Sequence, residues 1–421
     1  MLFSYKLQSK RTNIVNKLKG GRLIMIKGVK VKLHPNNKQK TKLFQCAGVA
    51  RWAYNWTLSR QQENYRSGGK FIYDGELRKE LTQLKKLPDY QWLNNYSNNI
   101  TKQAIKDACN AYLKFFEGLT KFPQFKSKKK SDPKFYQDNL KIKFTSTHVK
   151  FEKLTDSKKT NKQTFNWVRL AENNRIPFGE NNKYINPRVS FDGLNWWISV
   201  GIEYPDNLET PTNDGIGIDL GIKDLAICSD KETYKNINKT SKVKRIEKRL
   251  IRKQRRVSRK YEMNKEGNKL IKTKNINKLE NKIRRLHHRL AGIRHNYSHQ
   301  VTSEIINRKP MFIAIEDLHV RGMMKNRNIA KAVQEQRFYE FTRQLKYKAE
   351  WNGVKVIVAD RFFPSSKLCS CCGNIKKDLK LSDRTYICNE CNNVIDRDYQ
   401  ASLNLRNYGL IKINEKRVQH Q

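Results

Sequence analysis

The chain has 421 residues, with 87 Lys and Arg against 39 Asp and Glu, a formal net charge of +48. That length allows two to four domains with real cores, and the cationic excess calls for a polyanionic partner, nucleic acid first, because each neutralised phosphate releases counterions. No apolar run approaches a spanning helix and no lipidation or signal-peptide pattern is present, so a cytoplasmic, nucleoid-associated protein without a membrane partner is expected.

Residues 1–24 read as a basic leader, with Met25 as an alternative start. Met25 to Leu33 alternates strictly, which predicts a strand with one cationic face, part of a segment 25–36 that opens a small β-barrel. Residues 37–135 then form a helical lobe. Leu43, Ala47, Ala50 and Tyr54 mark a helix over 38–66, and Ile105, Ala108, Tyr112, Phe115 and Phe116 mark another over 99–119, closed near Gly118. Their aromatics, with Trp52 and Trp56, are expected to pack as core. The run from Phe122 to Lys130 joins aromatics to a cationic stretch and reads as an exposed connector that can touch phosphate.

Alternation returns over 136–210, in Leu140/Ile142/Phe144, in Val149/Phe151 and in Leu194/Trp196/Ile198/Val200/Ile202. These strands would complete the barrel, leaving the helical lobe as an insertion and Pro205 to Asn213 as a linker. Gly215 to Ile222 follows as a buried strand. Ile216, Ile218, Leu220 and Ile222 lie on one face, and Gly217, Asp219 and Gly221 on the other. A carboxylate buried there needs a cation, and the flanking glycines let a ligand or a backbone come close.

Residues 242–260 hold eleven Lys or Arg and one acid, Glu247. Val243, Ile246, Leu250 and Val257 still mark a seam. Ile276, Leu279, Ile283, Leu286, Leu290, Ile293, Tyr297 and Val301 continue it at coiled-coil spacing. The two helices are expected to pair antiparallel about a turn at 261–272. Lys244, Arg245, Arg252, Arg255, Arg256, Arg284 and Arg285 would then face outward, along the backbone of a duplex.

Met311 to Leu318 is a second short apolar strand ending in acid, at Glu316 and Asp317. Asp396 and Asp398 precede a helix-like stretch through Leu403 and Leu405. Carboxylates on rigid strands suit a pair of Mg²⁺ ions, which take hard oxygen ligands and hydrolyse phosphodiesters from both sides of phosphorus.

Five of the eight cysteines crowd into one segment, which favours metal over a disulfide framework. Cys369-x2-Cys372 and Cys388-x2-Cys391, fifteen residues apart, have the spacing of two zinc knuckles joined by a hairpin. Four thiolates make a closed, structural zinc site. Cys371 is left over.

Gly217-Ile218-Asp219-Leu220-Gly221, Ile315-Glu316-Asp317-Leu318, Pro364-Ser365-Ser366-Lys367-x-Cys369, the paired knuckles and Asp396-Arg397-Asp398, in this order, resemble the TnpB (OrfB) RNA-guided nucleases of transposons, relatives of the type V CRISPR effectors. The resemblance covers roughly residues 25–406. It implies a multidomain α/β and β-barrel protein, in which a wedge-type barrel (25–36 and 136–210) carries an inserted helical recognition lobe (37–135). A RuvC-like domain of RNase H fold (211–362, with the hairpin at 242–305) would follow, then a zinc-binding insertion (363–393), a final RuvC segment (394–408) and a basic tail (409–421). It implies a guide RNA, target DNA in double- and single-stranded form, and two Mg²⁺ at Asp219, Glu316 and Asp398, with Asp398 preferred to Asp396 by position in the motif. The family's Asn-Ala-Ala after that acid is here Gln400-Ala401-Ser402. An RNA-independent nuclease for branched DNA and a cleavage-deficient nucleic-acid-binding regulator are the alternatives.

Overall fold

The computed structural model describes residues 17–19, 22–154, 165–179, 182–205, 211, 214–380 and 383–418. They belong to two units, Met1–Asp206 and Asn207–Gln421. Residues 1–16 of the expected leader, and the expected linker apart from Pro205 and Pro211, lie outside the described residues.

In the first unit, β1 (Lys17–Lys19) forms a hairpin with β2 (Arg22–His34), so the strand begins three residues before its strict alternation does. The helices α1 (Asn37–Arg66), α2 (Asp74–Leu84) and α3 (Asn98–Phe116) follow. Asn36 and Gln39 form a reciprocal capping box at the start of α1. The Gln39 amide also donates to the carbonyls of Phe165 and Trp167, which ties the helix to the sheet. Strands β3 (Lys134–Tyr136), β4 (Lys143–Phe144), β5 (His148–Lys150), β6 (Trp167–Leu170), β7 (Tyr184–Phe191) and β8 (Trp196–Pro205) complete the unit.

The sheet is antiparallel throughout, in the order β3-β7-β8-β2-β6-β5-β4 with β1 beside β2. Among the described residues this is an open path rather than a closed ring. The lobe is an insertion between β2 and β3, and one core joins it to the sheet through Leu43, Leu58, Ile105, Val31 and Trp196. The strand expected through Leu140 is confined to β4. Asp138 accepts from the Leu140 and Lys141 amides to make a turn, and Leu140 is 84% exposed.

The second unit opens with β9 (Ile216–Asp219), β10 (Asp224–Cys228) and β11 (Thr233–Lys235), antiparallel neighbours. Then come α4 (Ser241–Met263), a tip of β12 (Lys265–Glu266) and β13 (Lys269–Leu270), and α5 (Lys274–Asn307). β14 (Phe312–Glu316), the helices α6 (Val320–Met323), α7 (Ala330–Gln336) and α8 (Phe338–Trp351), and β15 (Lys355–Ala359) follow. The chain then forms the hairpin β16 (Thr385–Ile387) and β17 (Val394–Asp396), and α9 (Arg397–Val418). Residues 409–418, expected as a tail, continue α9 because Ile413 is buried there and Gly409 lies against the Phe312 ring.

The five-stranded sheet runs β11-β10-β9-β14-β15, with β9, β14 and β15 parallel. Alternation along its strands separates two cores. Ile216, Ile218, Ile313 and Ile315 pack with Val301 and Ile305 of α5 and Phe338, Phe341 and Leu345 of α8. Phe312 and Ala314 pack on the opposite face with Leu405 and Ile413 of α9. Gly217 faces α9 so closely that an added Cβ would lie 2.0 Å from the Ser402 carbonyl oxygen and 2.4 Å from the Arg406 amide nitrogen. Both are helix backbone atoms and cannot turn aside. Gly217→Ala is therefore expected to destabilise this unit by about 1–3 kcal/mol or more, read as a lower urea midpoint; an unchanged midpoint would show that α9 can move off the sheet at no cost.

Candidate functional site

Two parallel strands bring the first acids together. Ile315 of β14 is the register partner of Ile218 of β9, so Glu316 and Asp219, each one residue further on, end adjacent strands at the carboxyl edge of the sheet. Period two places Asp219 on the face of Gly217 and Glu316 on the face of Ala314, the side covered by α9. The first turn of α9 carries Asp398. Burial, followed by the charges of Glu316 and Asp398, holds the Asp219 carboxyl well above the usual carboxylate range, with Arg397 opposing.

Each neighbouring acid has its own partner. The Ser365 hydroxyl donates to Glu316 Oε1. Arg384 and Arg397 lie 3.5 and 3.4 Å from the Asp398 carboxylate. The remaining candidates are engaged elsewhere. Asp396 accepts from the Asp398 and Tyr399 amides at 3.0 Å each, an N-terminal helix cap. Asp317 pairs with Arg361 at 2.6 Å.

Sequence reasoning missed a polar network beneath these acids. Asn404, 1% exposed, donates to the carbonyls of Ser365 (2.7 Å) and Leu368 (2.6 Å), so α9 fixes the turn that presents Ser365 to Glu316. Ser365 stood inside a recognisable motif, but nothing local to it indicates its partner. Gln400 is wholly buried, accepts from the Ser370 hydroxyl at 3.4 Å, and has a buried Nε2 without a hydrogen-bond partner.

The same turn leads into the cysteine cluster. The thiols of Cys369, Cys372, Cys388 and Cys391 lie within 4.8 Å of one another, while Cys371 is exposed and outside the group. Among the described residues no set of carboxylates or histidines converges as tightly. The two knuckles repeat one geometry. Cys369 N donates to Asn374 O and Gly373 N to Cys369 O, just as Cys388 N donates to Asn393 O and Asn392 N to Cys388 O. Gly373 and Asn392 both take the left-handed conformation, φ 77° and 54°, that this turn requires. The backbone amides of Cys391 and Glu390 bring the Cys388 thiol down to about 6, against burial. A preformed set of four soft donors, one already thiolate-like, fits a closed zinc site.

The basic hairpin has the expected seam, with Val243, Ile246 and Leu250 of α4 against Leu286 and Leu290 of α5. Lys244, Arg245, Arg252, Arg255, Arg256, Arg284 and Arg285 are all exposed. Desolvation, then Lys282, Arg249, Arg256 and Arg252, lower the pKa of Lys253, as crowded like charges do. Arg294 anchors the base of the hairpin through Glu247 (2.8 Å) and Glu335 (3.4 Å). Among the described residues no helix is long and apolar enough to cross a membrane.

Three family models match the chain. One described as a probable transposase matches residues 199–327, one described as a Cas12f1-like TNB domain matches 338–405, and one described as a helix-turn-helix domain matches 25–70. The last segment here is mainly β2 and the single helix α1. The putative RNA-guided DNA endonuclease InsQ of Escherichia coli K12 is 28% identical over 398 residues, covering 90% of this chain and 91% of that protein. A putative RNA-guided DNA endonuclease of Streptomyces pristinaespiralis is 29% identical over 382 residues, covering 90% and 89%. The protein chain in a cryo-EM structure of a Cas12f1-sgRNA-target DNA complex has the same overall fold, with a TM-score of 0.52 at 13% identity, over 88% of this chain and 82% of that one. The probable-transposase and Cas12f1-like TNB models match in order along a chain that aligns nearly end to end with these relatives, so the chain is similar over most of its length to the TnpB (OrfB) proteins and, over 338–405, to Cas12f1.

Proposed function

We propose that this chain is an RNA-guided DNA endonuclease: it binds a guide RNA, pairs it with target DNA beside a short recognition motif, and hydrolyses phosphodiester bonds at Asp219, Glu316 and Asp398. The observation that carries the reading is the meeting of these acids, from elements far apart in sequence, in a chain of net charge +48. The names of the two long relatives support it. So does the exposed hairpin, whose cations suit a phosphate backbone of any sequence and leave sequence choice to base pairing.

On this reading 25–36 and 136–210 are a wedge barrel, 37–135 the recognition lobe, 211–362 and 394–408 a RuvC-like domain, and 363–393 an insertion that meets target nucleic acid. A sheet of three antiparallel strands continued by two parallel ones is consistent with an RNase H fold. The protein would act at the nucleoid, in the cytoplasm.

Two bound Mg²⁺ would supply an activated water and stabilise the leaving oxygen. The chain's own part is to hold hard oxygen donors in place: Asp219 and Glu316 at neighbouring strand ends, and Asp398 on the first turn of a helix. Asp219 must give up its proton to serve, and its raised pKa makes that step costly at low pH. Cleavage is thus expected to rise with pH through the range above ordinary carboxylates. Ser365 and Asn404 are positioning residues for Glu316. Ser365→Ala should raise the Mg²⁺ concentration for half-maximal cutting by about 10-fold or more, with the melting temperature little changed; an unaltered Mg²⁺ requirement would remove Ser365 from this role.

The reading is tested by sequencing RNA that copurifies with the protein expressed from its native locus, then replacing the guide portion. One defined RNA whose replacement redirects cutting is expected. A heterogeneous RNA pool, or cutting of branched DNA by RNase-treated protein, would overturn it.

A further inference from the structure

The turn that follows β15 holds one ring out in solvent beside the acids. Phe363 N donates to Asp360 O at 2.9 Å, which makes Asp360 to Phe363 a β-turn with Phe362 at its third position. Phe362 is 92% exposed, and among the described residues no large apolar side chain is more so. Single exposed apolar residues are common on protein surfaces. This one is set apart by where it stands and how firmly it is held. Before it, Arg361 donates to Asp317, the neighbour of Glu316, at 2.6 and 3.1 Å. After it, Phe363 turns inward and packs on Tyr408, ring centroids 4.8 Å apart, and the Tyr408 hydroxyl donates to Asp360 at 2.7 Å. Two residues further on, Ser365 donates to Glu316 itself. Both flanks of Phe362 are thus tied to the end of β14, where Glu316 is the register partner of Ala359, three residues before the ring. The carboxyl ends of parallel strands, where this turn lies, are where open α/β sheets bind their ligands.

We propose that Phe362 is a stacking platform for one unpaired base of the DNA strand, next to the phosphodiester being cut. A strand that reaches this edge of the sheet presents phosphates and bases. Nearby carboxylates repel the phosphates, but not the uncharged face of a base. A neutral, flat ring with nothing to donate suits that face. It reads no base identity, which agrees with a chain that leaves sequence choice to pairing. Within a duplex the faces of each base are covered by its neighbours, so the platform takes the strand only where it is unpaired. A protein partner fits less well, because the ring stands beside the partly exposed ion pair of Arg361 and Asp317, and interface cores are depleted of charge.

The proposal rests on the reading that the chain cuts DNA at these acids, and its test separates the two. Full-length protein with its copurified RNA is bound, without added Mg²⁺, to matching target DNA carrying 5-iodouracil at one position at a time, irradiated, and the crosslinked residue is identified by mass spectrometry. A crosslink at Phe362 is expected from one or two adjacent positions bordering the cut. Phe362→Tyr should keep it and Phe362→Leu should lose it. In cleavage with Mg²⁺, Phe362→Ala and an abasic site at the same position should each lower kcat/KM about 10-fold, and together no further. Phe362→Tyr should cut as wild type does, and because the ring is exposed all variants should melt with wild type. No crosslink at Phe362, Phe362→Leu cutting as well as wild type, or losses that multiply would each overturn the platform and spare the nuclease. A crosslink at Phe362 in protein that cuts no strand would overturn the nuclease reading and leave the stacking contact standing.

Discussion

Asp219→Asn is expected to reduce DNA cleavage by more than about 100-fold, beyond the 10–100-fold typical of losing an outer-shell partner, with RNA binding largely unchanged. Asp219 ends β9 among the acids, remote in role from the hairpin's exposed cations, and removing one negative charge cannot weaken a chain of +48 towards phosphate. The same change has an opposite effect on stability. Burial and the charges of Glu316 and Asp398 raise the Asp219 pKa in the folded state. The folded protein then binds more protons than the unfolded chain once pH exceeds about 3.9. Stability is lost as pH rises from there to the folded value, and that deficit persists above it. Without metal, Asp219→Asn should therefore melt above wild type near neutral pH and match it in strong acid. Adding Mg²⁺ should raise the melting temperature of wild type more than that of the variant. Retained cutting would remove Asp219 from the site, and an equal response to Mg²⁺ would remove it from the metal.

What the sequence made legible follows from the range of each signal. The α4–α5 seam could be read because Val243, Ile246, Leu286 and Leu290 repeat at one helical period, which needs no knowledge of the rest of the fold. The strand of Asp219 could be read for the same reason, at period two. Its glycines announced a close approach but not the visitor, which at Gly217 is the backbone of α9, almost two hundred residues later. Ser365 and Asn404 lay beyond reach because a hydroxyl and an amide carry no periodicity. Their roles arise only when β14, the turn before Cys369 and α9 pack together. Helix α2 escaped notice for a different reason: only Leu77 and Leu81 are buried in its eleven residues, too short a pattern to stand out.

Loss of the four-thiol site should act on cleavage at a distance. Structural zinc supplies about 10–16 kcal/mol of apparent binding energy in small zinc modules at neutral pH, and little else holds this one. Its buried core is Cys369, Tyr386 and Cys388, with Leu379 and Ile395 packed alongside. Chelation, or Cys388→Ser, is expected to unfold residues 367–396 locally, seen as fast amide exchange there with β9 and β14 still protected. The consequence travels through a short path. Asn404 grips the carbonyls of Ser365 and Leu368, one turn before Cys369, and Ser365 in turn holds Glu316. Loosening that turn frees the glutamate, so cutting should fall about 10–100-fold, as for a lost outer-shell partner, with every acid intact. Acid should do the same, because protons compete with zinc for the four thiolates. Cys371→Ser is the control: it lies outside the cluster and should keep one zinc per chain and full activity. Cys388→Ser protein that retained zinc and cut normally would break the link between the knuckles and Glu316.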